Sequence, residues 1–173
     1  MVIDTLKCVG CSDCVVACQT ENDVPIGYCR DWITETVSGS YPNVELELKS
    51  ERCNHCDNAP CVRCCPTGAS HIVEGGIVLV THDECIGCGA CIESCPYDAR
   101  YSHPEGYVDK CTFCHHRLEK GQQPACVSVC PTKCMYFGDL DNPNSEVSQL
   151  LKNRKWKVLA PEAGTKPNVY YLI

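Results

Sequence analysis

CIGCGACIESCP, residues 85–96, sets four cysteines at gaps of two, two and three residues and closes them with a proline. Three more groups in the 173-residue chain repeat it: CVGCSDCVVAC (Cys8, Cys11, Cys14, Cys18), CNHCDNAPCVRCCP (Cys53, Cys56, Cys61, Cys65) and CTFCHHRLEKGQQPACVSVCP (Cys111, Cys114, Cys126, Cys130). With Cys85, Cys88, Cys91 and Cys95 they take up sixteen of the 19 cysteines. In chain order the middle gap is two, four, two and eleven residues, while the last gap is three every time.

Three chemistries compete for so many thiols: a disulfide framework, structural zinc and iron-sulfur clusters. An odd count of 19 cannot pair fully within one chain, and with the first candidate ligand already at residue 8 no secretory leader is expected. Zinc sites join two separated cysteine or histidine pairs, whereas three of these groups put their first three cysteines into seven to nine residues with a fourth close behind. That crowding favours a multi-iron cube. Two C-x-x-C steps wrap three thiolates around three corners, and Gly10, Gly87 and Gly89 let the backbone come close. The fourth cysteine lies on the helical turn that follows and points away, so that in two-cluster ferredoxins it ligates the other cluster. Groups of this kind work in pairs, and four of them imply four clusters.

The rest of the composition agrees. Hydrophobic residues make up 44% of the chain, but that count includes the cysteines; without them roughly a third is left to build a core. Clusters are expected to fill part of the interior. The formal net charge of −7 argues against nucleic acid and against an anionic membrane surface as partners. Sixteen thiolates offset by four cores of charge 2+ would take it to about −15. No apolar run approaches the ~20 residues of a membrane span, so no direct membrane insertion is expected.

Strand-like runs flank the groups: VID, VELELK, GIVLV and YVD before them, and ASHIV, ARYSH and CMYFG after three of them. Each unit reads as strand, cluster loop, helical turn, strand. The fold expected is α+β, two interleaved bacterial-type ferredoxin modules over residues 1–138, followed by a cysteine-free extension, 139–173, that docks a partner subunit. That extension reads as turns, a short amphipathic helix from about Ser145 with an Asn/Ser cap, and two strand-like pieces, KWKVLAP and PNVYYLI. The first group ends in Cys18-Gln19 where the other three have Cys-Pro, a departure that touches the turn and no ligand.

Cys29, Cys64 and Cys134 are left over. The three-residue gap from Cys61 and the following Pro66 select Cys65 over Cys64 as the ligand. Cys29 and Cys134 read as small buried hydrophobes near a cluster. Every quartet is complete in cysteine, so none of the six histidines is required as a ligand. His115 and His116 read as surface residues, and HRLEK as a solvated face or docking patch.

On these quartets, and on CVGCSDCVVACQTEN, CPTGAS, CPYDARY, KCTFCHHRLEKGQQPAC and FGDL, the chain resembles the iron-sulfur subunits of the molybdopterin oxidoreductases related to dimethyl sulfoxide reductase, and most of all those of polysulfide and thiosulfate reductases. The resemblance implies that group one pairs with group four, and group two with group three (about residues 50–105). It thereby implies four ligand sets: Cys8, Cys11, Cys14 and Cys130; Cys18, Cys111, Cys114 and Cys126; Cys53, Cys56, Cys61 and Cys95; Cys65, Cys85, Cys88 and Cys91. Sequence alone would not give this pairing. Some relatives lose one cysteine of the third group and carry a three-iron centre; this chain keeps all four, which implies four 4Fe-4S clusters. The implied partners are a catalytic subunit with a molybdenum or tungsten pterin site and, in many members, an integral membrane quinone-reactive subunit. The chain would relay single electrons between them.

No Ser/His/Asp set, phosphate loop or nicotinamide fingerprint is visible, so substrate chemistry is expected in a partner chain and no catalytic residue is assigned. A free-standing polyferredoxin and a subunit of a formate dehydrogenase or hydrogenase complex are the alternatives, and purely structural clusters a third. Maturation is expected in the reducing cytoplasm. By resemblance the chain then stays there or is exported folded with its catalytic partner to the periplasm, held at the membrane through a partner.

Overall fold

In the computed structural model, which describes residues 1–173, every cysteine group lies between a strand and a short helix. The chain runs β1 (Val2–Asp4), α1 (Asp13–Glu21), β2 (Asp31–Ser40), β3 (Asn43–Arg52), α2 (Pro60–Arg63), β4 (Ser70–Val73), β5 (Ile77–Val80), α3 (Ala90–Glu93), β6 (Arg100–Ser102), β7 (Val108–Lys110), α4 (His115–Leu118), α5 (Ala125–Val129), β8 (Met135–Tyr136), α6 (Glu146–Asn153), β9 (Trp156–Lys157) and β10 (Tyr170–Leu172). The fold is a small α+β one. All the strand-like runs read from the sequence are strands, as are the two pieces near the C-terminus.

Proline decides how the helices end. Cys65, Cys95 and Cys130 each stand before a proline and beyond the last residue of α2, α3 and α5. Cys130 is extended at φ −60° and ψ 113°, as the residue before proline prefers. Cys18 has no proline behind it, so α1 runs on for three residues past it. The helices pack in pairs, α1 on α5 and α2 on α3.

The four-stranded sheet has the order β8-β1-β10-β9, with β1 and β10 parallel and the other pairs antiparallel. β1, which leads the first group, therefore pairs with β8, which trails the fourth. The remaining strands form three hairpins, β2-β3, β4-β5 and β6-β7. β2 is an addition to the sequence reading; it pairs with β3 over ten residues, from Asp31↔Arg52 to Ser40↔Asn43. Toward the turn the hairpin leaves the body, and Val37 and Leu46, opposite one another, are exposed.

The interior is thiol-rich. Cys14, Cys18, Cys53, Cys56, Cys61, Cys91, Cys111, Cys114, Cys126 and Cys134 are buried beside a modest aliphatic set that includes Ile3, Val78, Val108 and Tyr171. A second small core, Val2, Val147 and Leu172, seats α6 on the outside of the sheet. Ser145 caps α6, its side chain accepting from the Ser148 N–H at 3.2 Å. No helix is long and apolar enough to cross a membrane.

Candidate metal-cluster sites

The loop of the first group turns through Gly10 and Ser12, both left-handed at φ 67° and 65°. The turn brings Cys8, Cys11 and Cys14 around a cavity whose lining also includes Cys130, from the far end of the chain, with Ile33 and Met135. The third group turns at Gly87, where a Cβ would stand 2.4 Å from the Gly106 carbonyl oxygen; no other residue fits there. All 19 cysteines are free thiols, and no three His, Cys, Asp or Glu side chains converge closely enough to grip a single metal ion. The sulfurs stand around volumes rather than points.

Cys18 of α1 and Cys114 are tied by Asn22, whose Nδ2 donates to both sulfurs, at 3.6 and 3.7 Å. Burial pushes the Cys18 thiol far up, with Asp31, Cys111 and Cys126 adding to the effect, so these four thiols share one dry region. Burial likewise pushes Cys111 up to about 12. Arg52 Nη1 donates to Cys126 Sγ at 3.0 Å. In the next region burial raises the Cys61 thiol, Arg100 opposes, and Cys53 and Cys95 add to the rise. Cys56 is pushed up to about 11, mainly by burial. Arg100 Nη2 donates to Cys61 Sγ at 3.0 Å and to Ser70 Oγ at 2.9 Å. On its other side burial lifts the Cys91 thiol, with Cys64 and Cys85 adding to it. The backbone N–H groups of Ser70 and Val108 donate to Cys65 and Cys85, each at 3.4 Å.

Bare thiols this deep resist ionising, so a metal must displace their protons. The side chains around them fit an anionic, sulfide-rich group. Arg52 Nε, Arg100 Nε and Nη1 and His55 Nε2 are buried without any hydrogen-bond partner, donors for which a cluster's sulfides are acceptors. His55 accepts the Val78 N–H on Nδ1 at 3.0 Å, which leaves its proton on Nε2. Burial, and then Lys110, hold its pKa well below the usual value, so the ring is neutral. It stacks on Phe113 with centroids 3.7 Å apart, joining the second group to the fourth.

The leftover cysteines divide. Cys134 is buried as expected, 3.4 Å from Cys130 Sγ. Cys29 is a correction: it is exposed, because the turn in which the Tyr28 N–H bonds the Pro25 carbonyl lifts this segment off the core. Cys64 is half-buried against Ser94 Oγ at 3.3 Å. Part of HHRLEK is tied to the protein itself, since His116 and Arg117 bond the two Glu21 carboxylate oxygens at 2.8 and 2.7 Å. Sequence reasoning missed Arg52, Arg100, Lys110 and His55, although Arg52 and Lys110 directly precede Cys53 and Cys111.

Comparison with known proteins places this arrangement. Residues 44–140 match the family of 4Fe-4S dicluster domains. The chain is 39% identical to the arsenate respiratory reductase iron-sulfur subunit of Shewanella sp. (strain ANA-3) over 99% of its own length and 94% of that protein. It is 43% identical to a tetrathionate reductase subunit from Salmonella typhimurium, over 99% of this chain and 71% of that one. It is 46% identical to the protein NrfC of Escherichia coli, over 98% and 78%.

Proposed function

Because the chain belongs to the 4Fe-4S dicluster family of iron-sulfur subunits of molybdopterin oxidoreductases, we propose that it is an electron relay of four 4Fe-4S clusters in a line. The ligand sets are Cys8, Cys11, Cys14 and Cys130; Cys18, Cys111, Cys114 and Cys126; Cys53, Cys56, Cys61 and Cys95; and Cys65, Cys85, Cys88 and Cys91. The first two sets make one ferredoxin-type module and the last two the other, interleaved in sequence over residues 1–138. Residues 139–173 are an extension whose inner face closes the core and whose outer face, with exposed Trp156, docks a partner.

The observation that carries this reading is the gradient of burial along that order. All four thiols of the second set are buried, as are Cys53, Cys56 and Cys61 of the third, whereas Cys11 of the first and Cys88 of the fourth are exposed. A relay needs dry inner stations and two reachable ends.

A bound 4Fe-4S cluster takes up and returns one electron. The chain's own residues place and tune it. The thiolates fix each centre at a set distance from the next. Guanidinium and backbone N–H groups donate to the sulfurs and favour the reduced, more negative state. Asn22 and Met135 help close the first two sets from water. One exposed end faces a catalytic subunit carrying a molybdenum or tungsten pterin, where substrate chemistry occurs; the other faces a membrane quinone-reactive subunit or another redox partner. The complex matures in the cytoplasm and works there or, exported with its partner, in the periplasm.

Iron and acid-labile sulfide, measured on anaerobically purified protein, should each come to about sixteen per chain. The protein should co-purify with a pterin-metal chain. Zinc in place of iron, or sulfide well short of that figure, overturns the four-cluster reading; a monomer with full iron content makes it a free-standing polyferredoxin instead.

A further inference from the structure

Three buried cations lie between the cysteine sets, and no ligand role accounts for them. Arg52, at the end of β3, is 1% exposed. Its Nη1 donates to Cys126 Sγ at 3.0 Å, while its Nη2 donates to Ser50 Oγ, itself 3.5 Å from Cys14 Sγ. One guanidinium thus spans the second set and the first. Arg100, at the start of β6 and 5% exposed, repeats the device: it donates to Cys61 Sγ of the third set and to Ser70 Oγ, and the Ser70 N–H donates in turn to Cys65 Sγ of the fourth set at 3.4 Å. Lys110, 1% exposed, stands between the two pairs. Its ammonium donates to the carbonyl of Cys111, in the second set, and to that of Val78, whose N–H donates to His55 Nδ1 between Cys53 and Cys56 of the third set.

Each of these ions is costly to bury. The nearest carboxylate of Arg52, Asp31, is 3.7 Å away, and neither Arg100 nor Lys110 has an acidic partner. Negative charge on the thiolates and their metal centres is what compensates them. Resting on the four-cluster reading, we propose that Arg52, Lys110 and Arg100 are positioning residues of the relay, one at each of its three junctions, each raising the reduction potential of the two centres it separates. The physical reason is simple electrostatics at low dielectric. An electron arriving at a centre adds one negative charge as its neighbour loses one, with no bond made or broken, and a cation held between the two stabilises the electron on either side. A shared cation therefore raises both potentials while leaving the difference between them small.

The test is a redox titration of the holoprotein followed by electron paramagnetic resonance, with iron counted on every sample. Arg52→Gln should shift two centres, the first and second, to more negative potential and leave the other two. Arg100→Gln should shift the other two, and Lys110→Met the two inner ones. Unchanged potentials at full iron content, or all four centres moving alike in each variant, overturn the proposal. Should a variant lose iron, wild-type protein labelled with 15N-arginine answers the same question: guanidinium nitrogen couplings are expected on the reduced centres beside Cys126 and Cys61, and their absence overturns it. Wild-type protein with far fewer than four clusters fails at the iron count, before any potential is read, and so marks a failure of the four-cluster reading itself.

Discussion

On the proposed pairing of the cysteine groups, the two halves of this protein hold the same kind of site by different means. Groups two and three lie within residues 53–95, and the half they form is closed locally: four-residue α2 and α3, the hairpin β4-β5 between them, and Cys-Pro turns after both helices. Groups one and four come from opposite ends of the chain, Cys8 to Cys130, and their half is closed by long-range ties. β1 pairs with both β8 and β10, the nine-residue α1 packs on α5, and the β2-β3 hairpin lays Ile33 and Leu48 against the first loop. Loop-closure entropy rises only slowly with length, so the long pairing is affordable, but each tie must be made by tertiary contact. The lesson is that the first-and-fourth half is brought together by strand and helix pairing across the chain, whereas the second-and-third half closes its helix pair locally and takes its distant ties through one loop, the Asp57 and Asn58 N–H groups donating to the Lys166 and Thr165 carbonyls at 3.0 Å.

Removing the metal should erase the comparison altogether. Chelation under reducing conditions leaves a thiol-rich interior in which buried Arg52, Arg100 and Lys110 lose the negative charge of the metal centres, and both halves should lose their circular-dichroism signal and cooperative melting together. Retention of a sharp melting transition in iron-free protein would show that the aliphatic core suffices. Single ligands should separate inner from outer sites. Cys126→Ala removes the sulfur that accepts from Arg52 Nη1 and leaves that buried donor unsatisfied, at a cost of about 1–3 kcal/mol beyond the lost anchor. Cys88→Ala, at an exposed position, should lose its centre with a smaller drop in melting temperature. Equal drops would deny the burial gradient any energetic meaning.

The next largest effect should fall where the two halves meet. Arg30, just before β2, donates from Nε and Nη2 to the two oxygens of Asp109 in β7, at 2.8 and 2.9 Å, and Tyr101 donates to the same carboxylate at 2.5 Å. Both charged side chains are buried, at 9% and 4% exposure. Asp109→Ala leaves an uncompensated guanidinium and should destabilise by about 3–5 kcal/mol. Denaturant titration should show this loss.

How the sequence foretold these halves follows the same divide. Local features were legible: seven flanking strands, the Ser145-capped helix and the Cys-Pro turns. β2 was not, because DWITETVSGS leads no cysteine group and its alternation is mostly of threonine and serine, with only Ile33 and Val37 to mark an apolar face. Nor was the β1–β10 pairing, between residues some 168 apart, which no local pattern encodes. The cations were hidden by a default that is usually right: charged residues are almost always on the surface unless paired. The basic residue directly before Cys53 and before Cys111 was the available signal, and it meant burial only because those cysteines themselves lie deep.

Equivalent glycines offer a matched test. Gly10 and Gly87 occupy the same place in groups one and three, at φ 67° and 65°. A Cβ on Gly10 would meet only the Leu48 side chain, at 3.4 Å, whereas one on Gly87 would meet the Gly106 carbonyl oxygen at 2.4 Å. Gly10→Ala should therefore cost the left-handed strain alone, about 1–2 kcal/mol, and Gly87→Ala about 1–3 kcal/mol more for the collision with backbone. Iron retention and melting temperature should rank the two in that order; the reverse order would mean that the hairpin at Leu48 yields less than the Gly106 turn.

The smallest effect concerns Glu21, the tie between the end of α1 and the long loop of group four. His116 first, and then Arg117, hold its carboxyl below the usual value. A depressed carboxylate pKa contributes stability that is present above its ordinary value near 4.5 and lost as pH falls through the folded value. These side chains are a quarter to a half exposed, so solvent screening keeps the contribution under about 1 kcal/mol. Glu21→Gln should lower the melting temperature slightly at pH 7. Its difference from wild type should shrink toward acid, within the range where both keep their iron, and shrink also with added salt. A difference that ignores both would assign the tie to shape rather than charge, and with it the stitching of the long loop to α1.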